Sequence, residues 1–245
     1  MKNNLDNSKG AQPLYIQIKE ILFQRISNGI YKTGETIPTE LEFQEEFDVS
    51  RITVRQAINE LVVDGYLTRR RGKGTVVIKK KIEEKLNRVL SFTKEMQEMG
   101  ITPSTSYAQI ERVKSTAVVA KKLNIEVGQE VYLITRIRCA DGQPIVFFET
   151  YLIGDLKLPL DHEVYFGSMY QVIESTNPVK ITKAKEYIGA EVATKTLAER
   201  LEISKGDPIL TRTRVGYDQN ERAIEFTTCY YVAKQYQYYV ELDRE

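Results

Sequence analysis

The sequence predicts an α+β chain of two domains, and three observations carry that prediction. Capped stretches with helical apolar periodicity end at Gly65 and lead straight into a short β-branched hairpin. Beyond residue 90, long β-patterned stretches dominate, and one feature there occurs twice. Ala120-Lys121-Lys122-Leu123-Asn124-Ile125-Glu126-Val127-Gly128 resembles Ala198-Glu199-Arg200-Leu201-Glu202-Ile203-Ser204-Lys205-Gly206, and each copy feeds a β-hairpin. A charged run separates the two regions. The expected boundaries are a flexible tail over 1–10, a first domain over 11–78, a linker over 79–89 and a second domain over 90–245. At 245 residues, 42% of them apolar, the chain is long enough for two cores.

In the first domain, Leu14, Ile18, Ile21, Leu22 and Ile26 form a helical stripe after Pro13, and Asn28-Gly29 ends it. Thr39 and Glu42 have capping-box spacing and open a second, short helix that stops near Asp48. Ser50 is the N-cap of a third helix, whose buried stripe is Val54, Ala57, Ile58 and Leu61. Two short helices joined by a tight turn fit a helix-turn-helix. Arg51, Arg55 and Asn59 follow one another by a turn beside the buried stripe, with Gln56 on the exposed side. Arginine can grip a guanine edge or a phosphate and an amide can read adenine; a plain solvated face fits these residues equally well.

The residues that follow favour the first reading. A strand over 66–71 and a return strand over 75–78 flank the turn Gly72-Lys73-Gly74. From 68 to 85 there are eight basic residues and two acidic ones, a stripe suited to neutralising phosphates although the chain's net charge is only +1. A recognition helix in the major groove with a basic wing beside it accounts for both features.

The stretch 13–78 resembles the DNA-binding domain of the GntR family of bacterial regulators. The residues that carry the resemblance are Pro13-Leu14-Tyr15, Gly34-Glu35-Thr36-Ile37-Pro38-Thr39-Glu40, Val49-Ser50-Arg51-Ile52-Thr53-Val54-Arg55-Gln56-Ala57, Asp64-Gly65-Tyr66-Leu67 and Arg71-Gly72-Lys73-Gly74-Thr75. The resemblance implies a winged helix-turn-helix in which Arg51, Thr53 and Arg55, with Gln56 nearby, face DNA. It also implies that Gly72 and its neighbours Arg71 and Lys73 enter the minor groove. Where the family has an arginine after the glutamate of the second helix, this chain has Leu41.

In the second domain Ser91 is a natural N-cap, and Ser91, Thr93 and free amides at that helix start can cap or hold an anion. The two hairpins, over 131–153 and 209–232, predict four strands of one antiparallel sheet with helices on a face. Further helices are expected over 170–175 and 193–201. Arg136 and Arg138 share one strand face, as do Phe147 and Glu149. Two arginines in an apolar run need partners. Either Glu149 or Glu225 pairs with them, or they form a phosphate or carboxylate pocket.

The region 90–243 resembles the effector domain of the HutC subfamily of GntR regulators, with a chorismate-lyase-like fold. The carriers are Leu90-Ser91-Phe92-Thr93, Met99-Gly100, Arg136-Ile137-Arg138, Glu149, Ser168-Met169-Tyr170, Gly206-Asp207-Pro208-Ile209 and Ile224-Glu225-Phe226. Within the subfamily this set is most similar to regulators of amino-sugar catabolism that sense a sugar phosphate. The resemblance implies that Ser91, Thr93, Arg136, Ser168 and Tyr170 surround a phosphate, helped by the Phe92 amide. Arg138, Glu149, Glu225 and Tyr231 then meet the sugar or brace the pocket.

The resemblance further implies a cytoplasmic homodimer on a palindromic double-stranded operator, acting as a phosphosugar-responsive repressor. Other organic acids stay open as effectors. So do a constitutive DNA-binding module and a lyase-like enzyme, although no nucleophile–base pair or metal motif suggests turnover. No run of eighteen apolar residues exists, so no membrane span is expected. Residues 1–10 lack the apolar stretch of a signal peptide. Cys139 and Cys229 lie in apolar stretches and read as buried free thiols; with His162 isolated in a polar stretch, no metal or other cofactor is expected.

Overall fold

A computed structural model describes residues 5, 6, 8, 10–78, 81–242 and 244. Most of the tail expected over 1–10, and Lys79 and Lys80 of the expected linker, lie outside the described residues. The chain forms two compact units that divide between Lys81 and Ile82.

In the first unit, α1 (Leu14–Ser27) begins after Pro13, whose fixed φ suits a helix entry, and stops before Gly29 at φ +73°. Thr39 and Glu42 form the capping box that opens α2 (Glu40–Phe47), and the Ser50 hydroxyl accepts the Thr53 amide at the start of α3 (Arg51–Val63). Asp48, at φ 53°, turns the chain between them. Ile18, Leu22, Phe43, Phe47, Val54, Ala57, Ile58 and Leu61 are all buried in one core. Burying the valine, leucine, isoleucine and phenylalanine side chains among them is worth roughly 1.5–3 kcal/mol each. The wing is an antiparallel hairpin of β1 (Leu67–Arg70) and β2 (Gly74–Val77). Its outer edge is covered by residues before α2, through Thr36↔Val76 and amide bonds from Gly34 to Val77 and from Ile37 to Thr75.

The second unit is built on six antiparallel strands in the order β4-β5-β6-β9-β8-β7. These are β4 (Pro103–Lys114), β5 (Glu130–Ala140), β6 (Gln143–Ile153), β7 (Ile181–Val192), β8 (Pro208–Asp218) and β9 (Ala223–Val232). The two hairpins expected from the sequence are β5-β6 and β8-β9, and they meet through the β6-β9 pair. The edge strands β4 and β7 add one strand to each half, so the repeated unit is strand, helix, hairpin. The helices of the two repeats are α5 (Ala117–Leu123) and α7 (Lys195–Leu201), each opened by a threonine cap and closed by a left-handed residue. Leu197, Ala198 and Leu201 of α7 pack with Ile137, Phe147, Ile209 and Val232 on one sheet face. On the other face lie α4 (Phe92–Glu98), a 3-10 turn (His162–Phe166) and α6 (Met169–Thr176). Both cysteines are buried and free.

The expected linker over 79–89 needs correction. Ile82–Lys85 forms strand β3 and pairs in parallel with β10 (Tyr236–Tyr239). Ile82 and Glu84 alternate into the interior. The stretch looked like a solvated charged run because one of its two inward residues is a glutamate.

Gly154, just after β6, lies against the backbone of the neighbouring strand: a Cβ there would stand 2.2 Å from the Glu130 carbonyl oxygen. Gly154→Ala should therefore destabilise the second unit by roughly 1–3 kcal/mol through forced backbone movement. A lowered midpoint in denaturant unfolding is the expected result, and an unchanged midpoint would show that the strand end moves freely.

Candidate DNA-contacting surface and effector cavity

On α3, Arg51 and Arg55 are more than half exposed and stand one turn apart. Both reach Glu40, the first residue of α2. Arg51 Nε donates to its Oε2 at 3.0 Å and Arg55 Nη2 to the same oxygen at 3.1 Å. Arg69, on β1, donates to Glu40 Oε1 at 3.4 Å and to Asn59 Oδ1 at 2.7 Å. Partial burial opposes ionisation of Glu40, yet Arg55 and Arg51 hold its carboxyl below the usual range. One carboxylate thus gathers three guanidiniums on an open surface. Exposed pairs of this kind are worth little, so phosphates or base edges can replace the carboxylate at small cost.

The other predicted contacts are divided. The Thr53 hydroxyl is 2.8 Å from that of Ser50, so it is engaged at the helix start, whereas Gln56 is exposed. Arg71, Gly72 and Lys73 form the exposed wing tip, where Gly72 has φ +78°. Leu41 is exposed rather than packed. Sequence reasoning missed Glu40 as the centre of this cluster because no spacing rule ties an acidic helix start to arginines on the next helix and strand.

In the second unit, one cleft on the sheet brings together Ser91, Phe92, Thr93, Arg136, Arg138, Ser168, Tyr170 and Glu225 of the expected effector residues. It holds about 420 Å³ of space, part of it open to solvent. Strand β5 supplies the two arginines, α4 the Ser91-Phe92-Thr93 edge, the start of α6 the Ser168 edge and β9 the glutamate. Arg136 Nη1 donates only to backbone carbonyls, those of Gly167 at 3.3 Å and Tyr165 at 3.5 Å, and its buried Nε has no partner. Arg138 donates to the carbonyls of Ser104 and Gly167 and to the Thr93 hydroxyl at 2.9 Å. Among the described residues neither has a carboxylate partner. Burial pushes Arg136 down to about 10, and burial together with the charge of Arg136 pushes Arg138 down to about 9. Ser168 is buried at the start of α6 without making a capping bond. Tyr170 donates to Glu225 Oε2 at 2.8 Å, and Thr227 donates to Glu225 Oε1 at 2.6 Å.

Two expected residues stand elsewhere. Tyr231 is fully buried beside the cleft and accepts from Arg212 Nη2 at 2.6 Å, so it braces the wall. Glu149 belongs to the opposite face: it pairs in register with Thr135 and Thr228, whereas Arg136 pairs with Phe148. There burial and the Glu149 charge raise the Tyr230 phenol above its ordinary value.

Sequence reasoning also missed Arg212 and Arg214 on β8, which line the same cleft. Both are paired. Arg212 Nη1 donates to Glu84 Oε1 at 2.6 Å, and Arg214 Nε to Glu186 Oε1 at 2.5 Å. Burial opposes their charge, but the surrounding acidic groups hold both firmly protonated. The signal was present in the spacing Arg212-Thr213-Arg214 on the repeated strand, the same alternation as Arg136-Ile137-Arg138.

Behind Arg212 lies a buried acid pair. Glu84 Oε2 accepts from the Tyr236 hydroxyl, which is also 3.2 Å from Glu95 Oε1. Burial and then the negative charge of Glu84 push the Glu95 carboxyl up to about 9. Burial opposes ionisation of Glu84 too, but Arg212 and hydrogen bonds from Glu95 and Tyr236 keep it ionised. Glu95 is therefore held in its neutral form beside the Glu84 carboxylate.

A helix-turn-helix with an arginine-bearing recognition helix, joined to a domain with a cationic small-ligand cleft, defines a ligand-responsive DNA-binding transcription regulator. The bacterial regulatory proteins of the GntR family match residues 14–77, and the UTRA domain matches residues 98–237. The chain belongs to the GntR family and carries a UTRA domain. It is 34% identical over 238 residues to the HTH-type transcriptional repressor NagR of Bacillus subtilis (strain 168), with 97% of this chain and 98% of that one covered. It is also 34% identical over 215 residues to a probable fructoselysine utilization operon transcriptional repressor of Escherichia coli (strain K12), covering 87% and 88%. The crystal structure of PhnF from Mycobacterium smegmatis matches with a TM-score of 0.77 at 26% identity, over 94% of this chain and 99% of that one.

The neutral Glu95 has a consequence for pH dependence. In the folded chain it keeps a proton up to about pH 9, whereas an unfolded glutamate releases it near pH 4.3. The folded state binds the extra proton in that window, so the Glu95 contribution to stability falls as pH rises through it. Glu95→Gln removes this titration. Its melting temperature relative to the parent should climb steadily from pH 5 to pH 9. A difference that stays flat over this range would mean that Glu95 is ionised in the fold.

Proposed function

We propose that this regulator is an effector-controlled repressor of a sugar or amino-sugar utilisation operon, and that its effector is a sugar phosphate. The observation that carries the reading is the pair Arg136 and Arg138: buried, without a carboxylate partner among the described residues, and facing a cleft edged by the hydroxyls of Ser91, Thr93, Ser168 and Tyr170. Two guanidiniums without a direct ion pair, with hydroxyl donors beside them, suit a phosphate dianion. Glu225, held by Tyr170 and Thr227, suits the hydroxyl or amino groups at the other end of such a ligand. The name of one relative, a probable fructoselysine utilization operon transcriptional repressor, agrees with a sugar–amine adduct as the rest of the ligand.

In this reading the protein acts in the cytoplasm as a homodimer on a palindromic operator, matching two-fold protein symmetry to two-fold DNA. No catalytic step is assigned to it. The effector changes operator affinity only by binding the DNA-competent and released states unequally.

Fluorescence anisotropy with the gene's own upstream DNA tests the reading. A phosphorylated amino sugar should release the labelled fragment, and Arg136→Ala should raise the concentration needed by at least ten-fold while leaving operator affinity without ligand unchanged. Release by unphosphorylated organic acids alone would replace the phosphosugar reading with an acid sensor. In the same assay, Arg55→Ala should weaken operator binding by about 1–3 kcal/mol as a base contact. Operator affinity that does not respond to this substitution removes Arg55 from the interface.

A further inference from the structure

The second unit repeats itself with a constant shift. Moving by 78 positions, from 103 to 181, carries β4 (Pro103–Lys114) onto β7 (Ile181–Val192), α5 (Ala117–Leu123) onto α7 (Lys195–Leu201), and β5 (Glu130–Ala140) onto β8 (Pro208–Asp218). The same shift takes Arg136 to Arg214 and Ala108 to Glu186. The strand registers agree: Ala108 pairs with Arg136 on β4-β5, and Glu186 pairs with Arg214 on β7-β8. Directly paired residues of antiparallel strands point to the same face. Each half of the sheet therefore presents an arginine on its middle strand and one neighbouring side chain on its edge strand.

The two halves differ in that neighbour. Arg214 meets a built-in counter-ion, with Glu186 Oε1 2.5 Å from its Nε. Arg136 meets the methyl group of Ala108, and its Nε is buried without a partner. A second difference reinforces the first. Arg138 shifts onto Gly216, where a Cβ would stand 2.6 Å from Glu225 Oε2, so the glycine leaves room for a carboxylate in the second half. The first half keeps a second arginine at that place. A carboxylate thus contacts the arginine directly in one half, whereas in the other Glu225 acts on Arg136 only through space, without an ion pair.

We propose that the effector domain contains two copies of one anion site, that Glu186 occupies the copy at Arg214, and that Ala108 is the residue that leaves the copy at Arg136 open to an external anion. The anionic group of the effector then stands where the Glu186 carboxylate stands in the other half. Ala108 determines which half senses ligand. The assignment of the open copy rests on the phosphate reading above; the masked copy at Arg214 rests on the repeat alone.

Isothermal titration of the full-length chain with inorganic phosphate tests this in both directions. Ala108→Glu places a carboxylate beside Arg136 and should raise the phosphate dissociation constant at least ten-fold. Because the larger side chain has to fit near the carbonyls of Tyr165 and Gly167, the reciprocal variant decides the matter if Ala108→Glu fails to fold. Glu186→Ala uncovers Arg214 and should bind one phosphate more per chain than the parent, with a larger rise in melting temperature on adding phosphate. An unchanged stoichiometry in Glu186→Ala overturns the proposal, as does a folded Ala108→Glu that binds phosphate within three-fold of the parent. A parent that binds no phosphate sinks the phosphosugar reading. A single site appearing in Glu186→Ala then still establishes the masked copy.

Discussion

A guanidinium removed from water needs a negative partner, and the second unit is organised around how that need is met. Four arginines project from β5 and β8 onto one sheet face. Two of them are satisfied from inside the protein, by Glu84 on β3 and Glu186 on β7. The other two make no ion pair among the described residues and rest on carbonyl and hydroxyl dipoles and on the rings of Phe148 and Phe92. Removing a hydrophobic contact anywhere in the sheet costs packing; removing the counter-charge at one end creates a receptor. The cleft is the place where the fold leaves its own electrostatics unfinished.

The first unit handles charge in the opposite manner. Arg51, Arg55 and Arg69 remain in water and share Glu40. The guanidiniums are not desolvated at high cost, so they stay available to polyanions. The acidic start of α2 gives the basic side chains of two other elements a common resting direction.

The elements with local causes were the legible ones. Caps at Thr39 and Ser50, the glycines of the wing and the helical stripes each depend on neighbours a few residues away, and the structure places them as read. The two hairpins were legible for the same reason. The edge strands β4 and β7 were not, because their patterns mix exposed and buried residues irregularly along a long exposed edge. In the site, period-two spacing identified Arg136 and Arg138 as neighbours on one face. It also misplaced Glu149, since face assignment across strands depends on register, which no single strand encodes. Arg212, Glu84 and Glu186 escaped notice because their partnerships span distant parts of the chain.

Strand β3 has one further implication. It follows the first unit directly in sequence, but its partner β10 comes far later; Glu84 and Tyr236 are 152 positions apart. Domains fold as they leave the ribosome, N-terminal first. The DNA-binding unit is therefore complete while most of the sheet is still being made, and the segment that follows it stays unzipped until nearly the last strand emerges. Closing β3 onto β10 is therefore the last strand pairing that the second unit can make during synthesis.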